Sequence, residues 1–500
     1  MRLAPVGSRL ALVRLSGELS TKARATRSRF LTLLVANLRD ALAAEGLSAE
    51  VERAHERLYV HPAEPPVLDL LGRVFGVQSL SLVERVAFAG LGDLVDVCAE
   101  RFAEAVRGRS FAVRARMVGD PAHRPFGARD LERELGTRLL PSARKVDLSH
   151  PEVTARIEVH RGAAHLFEGA VSGPGGLPLG SEGRALALVS GGFDSAVAAW
   201  LMLRRGVALD YAFCNLGGRT HEAGTLRVLK VLADRWSYGY RPRVFALDFR
   251  PVAEQLLARC EPRYRQVVLK REMLRAATRL GRAIRARALV TGESVGQVSS
   301  QTLANLAVIS EATDYMLLRP LVGARKDEII AQAERIGTAA LSAVVAEYCA
   351  LVPRRPATAA RLDDVRREEA ALDPGVVEQA VRNAQRLDLR AFDPDAKLLA
   401  DLETDAVPPG ATLVDLRTRE EFASWHHPAA VRLDFADTLR AVSSLPRERE
   451  YVLVCEFGLK SAHLAELMRE AGLRASHFRG GTRALRRWHE RQAARSDETG

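Results

Sequence analysis

Ser190-Gly191-Gly192-Phe193-Asp194-Ser195 follows an apolar run at 185–189 and leads into a helix-forming stretch at 196–203. Strand, glycine turn and helix start form a cradle for phosphate, because backbone N–H groups converge and the helix dipole favours an anion. Gly191 and Gly192 permit close backbone approach, and Ser190 and Ser195 add hydroxyl donors. This is no Walker A loop, since no Gly-Lys-Ser/Thr follows. Asp194 adds a constraint: a carboxylate beside phosphates repels them unless a cation intervenes, which implies Mg²⁺. An ordinary turn capped by Asp and Ser is the alternative. More polar groups sit at predicted strand ends. Thr291-Gly292-Glu293-Ser294-Val295-Gly296-Gln297 follows Ala288-Leu289-Val290, Arg319-Pro320-Leu321 and Lys326 follow the next strand, and Lys270 is expected at the head of a helix. Open α/β sheets bind ligands at the carboxyl ends of their strands.

Sulfur chemistry is the second theme. The strand 451–454 ends at Cys455, and Glu456-Phe457-Gly458-Leu459-Lys460-Ser461 curls into a helix over 462–470. A sulfur aimed at a helix N-terminus is favoured as thiolate or persulfide anion. Without such surroundings, a lone Cys after a strand is core. The five cysteines are far apart and form no CxxC, which argues against a disulfide scaffold or a structural zinc site and for a reducing compartment. Cys98, Cys214 and Cys260 lie in apolar contexts and read as buried and inert. His426 and His427 read as structural, because no Cys or acidic partner has ligand spacing.

The elements that carry these loops need several domains. Five hundred residues suggest three or four, and 47% hydrophobic with 27% charged residues is ordinary globular composition. A net charge of +11 favours polyanions, nucleic acid first. No apolar run reaches the roughly 18 residues of a membrane helix, and Arg9 and Arg14 argue against a signal peptide. A first unit combines a strand at 10–15, a basic loop (Lys22, Arg24, Arg27, Arg29), a helix marked by Phe30, Leu31, Leu34, Leu38 and Leu42, and a strand at Tyr59-Val60. In a second unit, Phe111, Val113, Ala115 and Met117 alternate with Arg114 and Arg116, flanked by helices at 93–106 and 128–140. After a glycine-rich break at 172–180, strands and helices alternate to about 372, which predicts a parallel sheet. Pro374 and Pro394 mark a linker, and 401–492 alternates strand and helix again.

Taken together, these segments resemble the bacterial tRNA 4-thiouridine synthetase (tRNA sulfurtransferase) family over nearly the whole chain. Gly175 to Gly180, the SGGFDS loop, GESVGQVSSQT, Arg319-Pro320-Leu321, Ile336-Gly337-Thr338 and Glu347-Tyr348-Cys349 occur in the family's order. Gly17-Glu18-Leu19 and Arg73-Val74-Phe75-Gly76-Val77 are similar to its N-terminal segments. Cys-x-x-Gly-x-Lys-Ser at 455–461, Val414-Asp415-Leu416-Arg417 and Arg479-Gly480-Gly481 resemble rhodanese motifs. Lys460 stands where Arg is common, and Trp425 and Ala429 where glycines are usual.

The resemblance implies a multidomain α/β protein. It would comprise a ferredoxin-like domain (1–62), an RNA-binding THUMP domain (63–170), a doubly wound PP-loop ATP pyrophosphatase domain (171–375), a linker (376–400) and a rhodanese domain (401–492). It implies ATP contacts at Leu188, Val189, Ser190, Gly191, Gly192, Asp194, Ser195, Lys270, Gly292 and Gln301, with Lys326 assisting adenylation. Arg325 stands where an acidic residue is usual, which puts the geometry at Lys326 in question. Arg114 and Arg116 become candidate tRNA phosphate contacts, with a solvated strand face as the alternative. Cys349 and Cys455 would form a transient redox disulfide. The implied reaction thiolates C4 of uridine 8 in tRNA, using ATP and Mg²⁺, a cysteine desulfurase as persulfide donor and a thiol reductant, in the cytoplasm and away from membranes. Sulfur supply for thiamin thiazole synthesis and a homodimer stay open. The rival readings are a sulfur carrier with a vestigial ATP site, a tRNA-binding protein without catalysis, a THUMP-bearing methyltransferase, and thiolation at another tRNA position.

Overall fold

The computed structural model describes residues 9–498 apart from 55–56, 119–125, 161, 344, 346–354, 394–400 and 457. Cys349 therefore lies outside the described residues. The chain forms two compact units, one built mainly from residues 1–182 and the other from most of 183–500.

The first unit is organised by a nine-stranded sheet. Its strands are β1 (Arg9–Leu15), β2 (Glu50–Ala54), β3 (Arg57–His61), β4 (Val77–Ala87), β5 (Ser110–Met117), β6 (Lys145–Val146), β7 (Val153–His160), β8 (Ala163–Phe167) and β9 (Val171–Ser172). Their order is β2-β3-β1-β4-β8-β7-β5-β6, with β9 also on β4. The eleven-residue β4 explains the continuity, because it pairs with β1 along most of its length and with β8 through its last four residues. The segments 1–62 and 63–170 thus share one sheet. Helix Arg24–Ala44 buries Phe30, Leu31, Leu34, Leu38 and Leu42, as their spacing predicts. Arg24, Arg27 and Arg29 open this helix instead of occupying a loop. Strand β2 escapes sequence reading because it is an edge strand, Glu-Val-Glu-Arg-Ala, in which Val51 alone among the described side chains is buried.

The second unit holds two sheets. One contains β10 (Arg184–Val189), β11 (Ala208–Asn215), β12 (Arg243–Asp248), β13 (Ala288–Val290), β14 (Met316–Leu318) and β15 (Gln385–Asp388), in the order β14-β13-β10-β11-β12-β15. The first five are parallel, and β15 closes the edge antiparallel to β12. The segment 376–400, expected as a linker, thus supplies a sheet strand and most of helix Gly375–Arg382. From central β10 the chain winds outward through β11 and β12, then returns to the other side through β13. That reversal leaves a crevice at the carboxyl ends of β10 and β13. Helix Arg265–Ala283 covers the sheet with Val268, Leu274 and Ala277 against Leu186 and Leu289. Lys270 lies in its second turn, slightly inside the expected helix head.

The other sheet is fully parallel: β16 (Glu403–Thr404), β17 (Thr412–Asp415), β18 (Ala430–Arg432), β19 (Glu450–Val454) and β20 (Arg474–Phe478), ordered β16-β20-β19-β17-β18. Cys455 stands at the carboxyl end of its central strand. Among the described residues no helix is long and apolar enough to cross a membrane.

Candidate active site

The Ser190–Ser195 turn joins the end of β10 to the start of helix Phe193–Arg204, the strand–turn–helix order expected of a phosphate cradle. Ser195 ties the loop to itself: its hydroxyl accepts the Ser190 N–H at 3.3 Å and donates to the Gly192 carbonyl at 3.1 Å. Gly292, from the loop after β13, lies directly against this turn. A Cβ there would sit 2.8 Å from the Ser195 nitrogen and from the Asp194 carbonyl carbon, so no larger residue fits without moving the cradle. Leu188 is half-buried and Val189 buried, and as consecutive strand residues they face opposite sides of the sheet.

Two cationic groups flank the loop. Lys326, the first residue of helix Lys326–Ile336, places Nζ 2.9 and 3.0 Å from the two carboxylate oxygens of Asp194. Gln297 donates to the same carboxylate at 2.8 Å. Arg325, just before Lys326, is held by its own helix. Its backbone N–H is capped by Glu328 at 3.0 Å, and its guanidinium turns to Asp327 and Glu328. Next to Gly292 in the chain, buried Glu293 receives Lys270 at 3.2 Å, Arg319 at 2.7 Å and the Thr291 hydroxyl at 3.1 Å. Burial alone would raise the Glu293 carboxyl, but Lys270 and Arg319 outweigh it and hold the group below its usual range. Gln301 accepts the Ser294 N–H at 3.2 Å and so braces the 291–302 loop.

The Asp194 contacts bear on the expected Mg²⁺. Its negative charge, which pointed to Mg²⁺, is met by Lys326 within the protein. The donor set still fits a hard cation: one carboxylate can join phosphate oxygens and water around Mg²⁺ carried in on a nucleotide. Among the described residues no cluster of three His, Cys, Asp or Glu side chains could hold a metal by itself.

Sequence reasoning passed over Glu293, Gln297, Arg319 and His221 as individual site residues. The first three lie inside motifs it did single out. His221 carries no motif, yet its Nε2 lies 3.2 Å from the Ser190 carbonyl oxygen.

The sulfur loop is equally compact. Cys455 is 4% exposed, and its Sγ receives the Ser461 N–H at 3.4 Å, with the Ser461 hydroxyl at the same distance. Ser461 stands in the first turn of helix Leu459–Glu470, so the sulfur faces a helix N-terminus. The Cys455 carbonyl accepts the Thr482 N–H at 3.0 Å. Gly481 lies at φ +65°, where a Cβ would meet the Glu456 and Cys455 carbonyl oxygens at 2.3 and 2.5 Å, which accounts for the second glycine of Arg479-Gly480-Gly481. Buried Asp415 orients Arg417 through a bidentate pair, and Arg417 reaches on to the Trp425 carbonyl at 2.6 Å. Burial and neighbouring Glu421 push the Glu456 carboxyl above its usual range. His426 stacks on Phe422, and His427 accepts the Ala429 N–H, both as parts of the scaffold.

Arg114 and Arg116 are exposed on β5, in register with Arg156 and Glu158 of β7. Arg114 already donates to the Leu148 carbonyl at 2.6 Å. Cys98, Cys214 and Cys260 are buried free thiols, as their contexts indicate.

Comparison with known proteins joins these parts. Residues 10–81 match the ThiI ferredoxin-like domain, 90–167 the THUMP domain, 180–373 the thiamine biosynthesis protein (ThiI) family and 395–487 the rhodanese-like domain. A tRNA sulfurtransferase of Pyrobaculum aerophilum is 39% identical over 466 residues, which are 93% of this chain and 95% of that one. This chain belongs to the tRNA sulfurtransferase family. Another tRNA sulfurtransferase, from Photorhabdus laumondii, is 32% identical over 92% of this chain and 98% of its own. A solved 4-thiouridine synthetase–RNA complex with bound ATP aligns with a TM-score of 0.67 at 27% identity, covering 76% of this chain and 99% of that one. The protein therefore has the sulfurtransferase architecture of ferredoxin-like, THUMP, PP-loop and rhodanese-like parts.

Proposed function

We propose that this protein thiolates C4 of uridine 8 in tRNA, with ATP as the activating substrate and a Cys455 persulfide as the sulfur source. The single observation that carries the reading is the SGGFDS cradle clasped by Gly292 and flanked by Lys326 and the Lys270–Glu293–Arg319 cluster. The bound ATP and RNA of the related 4-thiouridine synthetase complex support the same substrates. Leu188 and Val189 would border the nucleotide. The loop N–H groups with Ser190, Gly191, Gly192 and Ser195 would hold its phosphates, and Gln301 would keep the second loop in place.

The C4 oxygen of uridine attacks the α-phosphorus, pyrophosphate leaves and an adenylated uracil forms. Lys326 offsets the negative charge that builds there, and Mg²⁺ held partly by Asp194 would supply further charge neutralisation. The terminal sulfur of the Cys455 persulfide attacks C4, and AMP departs. The Cys349 thiolate then attacks Sγ of Cys455, releasing 4-thiouridine and leaving a Cys349–Cys455 disulfide for an external thiol to reduce. Alternatively, Cys349 first frees sulfide from the persulfide, with the same disulfide as product. A cysteine desulfurase would load Cys455, and Arg114 and Arg116 would contact tRNA phosphates. Delivery of sulfur toward thiamin's thiazole would need the rhodanese-like part alone.

The test is mass spectrometry of nucleosides from unmodified tRNA incubated with the protein, ATP–Mg²⁺, a cysteine desulfurase, cysteine and a thiol reductant. Native protein should yield 4-thiouridine, and Cys455→Ala should yield none. Persulfidation of Cys455 without any thiolated nucleoside would favour a sulfur carrier instead.

A further inference from the structure

The first turn of a helix leaves N–H groups without intrahelical partners. In helix Gly218–Trp236, the flanking Gly217 has no side chain to cap them. The cap comes from far along the chain. Glu466, in helix Leu459–Glu470, accepts the Arg219 N–H at 3.3 Å and the Thr220 N–H at 3.2 Å, and its carboxylate also takes the Thr220 hydroxyl. A carboxylate at this end is also favoured by the helix dipole. Gly218 makes room for it: a Cβ there would lie 3.3 Å from Glu466 Oε1.

A small interface surrounds the cap. Ala223, one turn on, is buried in the same apolar cluster as Leu402, Leu464 and Met468. Arg219 donates to Asp401 at 3.0 Å, and Arg469 approaches the same carboxylate at 3.8 Å. Hydrogen bonding from Arg219 brings the Asp401 carboxyl down to about 2. Thr220, Ala223 and Arg227 share one helix face, as do His463, Glu466 and Glu470 on the other helix. Both helices run on to chemistry. Ser461, at the start of one, holds the Cys455 sulfur, and His221, in the first turn of the other, touches the Ser190 carbonyl.

We propose that the first turn of helix Gly218–Trp236 is the docking seat for the rhodanese-like part of the same chain, and that Glu466 is the positioning residue that sets the sulfur loop against the nucleotide loop. The role in sulfur delivery rests on the thiolation reading above. Arg219 and Asp401 are about half exposed, so solvent screens their pair and the Glu466 cap fixes the register.

Full-length Glu466→Ala and Glu466→Gln proteins test this by three measurements. These are hydrogen exchange at the Arg219 and Thr220 amides, persulfide loading of Cys455 by a desulfurase and cysteine, and single-turnover sulfur transfer to tRNA. In Glu466→Ala, exchange at the two amides should rise about fivefold or more. Transfer should fall about tenfold or more through misplacement of the sulfur, while loading stays at the native rate. Glu466→Gln keeps one acceptor oxygen and should fall between. Unchanged exchange would overturn the seat, whatever the tRNA assay reads. Faster exchange with unchanged transfer would overturn the positioning role. If native protein thiolates no tRNA, the thiolation reading and the delivery role fall together, and the exchange result still decides the seat.

Discussion

Lys326 and Asp194 are 132 positions apart, yet the ammonium lies 2.9 and 3.0 Å from the two oxygens of the carboxylate. The pair draws the start of helix Lys326–Ile336 onto the phosphate loop. It also keeps a positive charge beside the cradle before any nucleotide arrives. Because Lys326 is 43% exposed, the pair adds little to stability.

Lys326→Ala should therefore leave the thermal midpoint nearly unchanged while lowering the adenylation rate about 10²–10³-fold. Pre-steady-state pyrophosphate release in the presence of tRNA measures this directly. A rate within threefold of native would remove Lys326 from the chemistry.

Glu293 should behave in the opposite way. It is buried between Lys270 and Arg319, and its loss would leave two cations facing each other. Glu293→Gln should cost about 3 kcal/mol, the low end for a broken buried pair because Lys270 stays partly exposed. It should also weaken ATP binding, read by calorimetry. The native carboxyl is held below its usual value of 4.5. Its contribution is thus complete above that pH and disappears as pH falls through the depressed value. Denaturant titrations of native and Glu293→Gln protein should converge in acid and diverge toward neutrality.

The sequence made the phosphate loop, the sulfur loop and most helices legible because their signals are local. SGGFDS needs six consecutive residues, and Leu34, Leu38 and Leu42 announce a helix by spacing alone. What it concealed depends on distant pairing. Nothing in Val77–Ala87 says that one strand will serve two neighbours and fuse 1–62 with 63–170 into one sheet. Nothing in Gln385–Asp388 predicts that this polar tetrapeptide will close a sheet edge. His221 lacked any motif, because its importance comes solely from the carbonyl it meets.

The inert cysteines offer a chemical check. Burial pushes the Cys98 and Cys260 thiols up to about 12, and Cys214 is raised in the same way. At pH 8 only about one Cys98 or Cys260 thiol in ten thousand would be thiolate, too few for ready alkylation. Mass mapping after brief iodoacetamide treatment of folded protein should leave all three unlabelled, and unfolding in guanidinium should expose them. Labelling of any of the three in native protein would contradict the packing described.

Gly292 and Gly481 allow the two halves of the site to be broken separately. A Cβ on Gly292 would meet the Asp194–Ser195 backbone at 2.8 Å, and a Cβ on Gly481 would meet carbonyl oxygens at 2.3 and 2.5 Å. Neither clash can be relieved by a flexible side chain, so each loop must shift. Displacement of a reacting group by about 1 Å costs on the order of 10²-fold in rate. Gly292→Ala should thus weaken ATP binding and adenylation while Cys455 still accepts sulfur from a desulfurase. Gly481→Ala should do the reverse, retaining ATP-dependent pyrophosphate release with tRNA but losing persulfide formation. Both should abolish most 4-thiouridine synthesis, and mixing the two variants should restore it only if sulfur can pass between chains. Absence of rescue would mean that the persulfide serves the nucleotide site of its own chain, as the Glu466 seat requires.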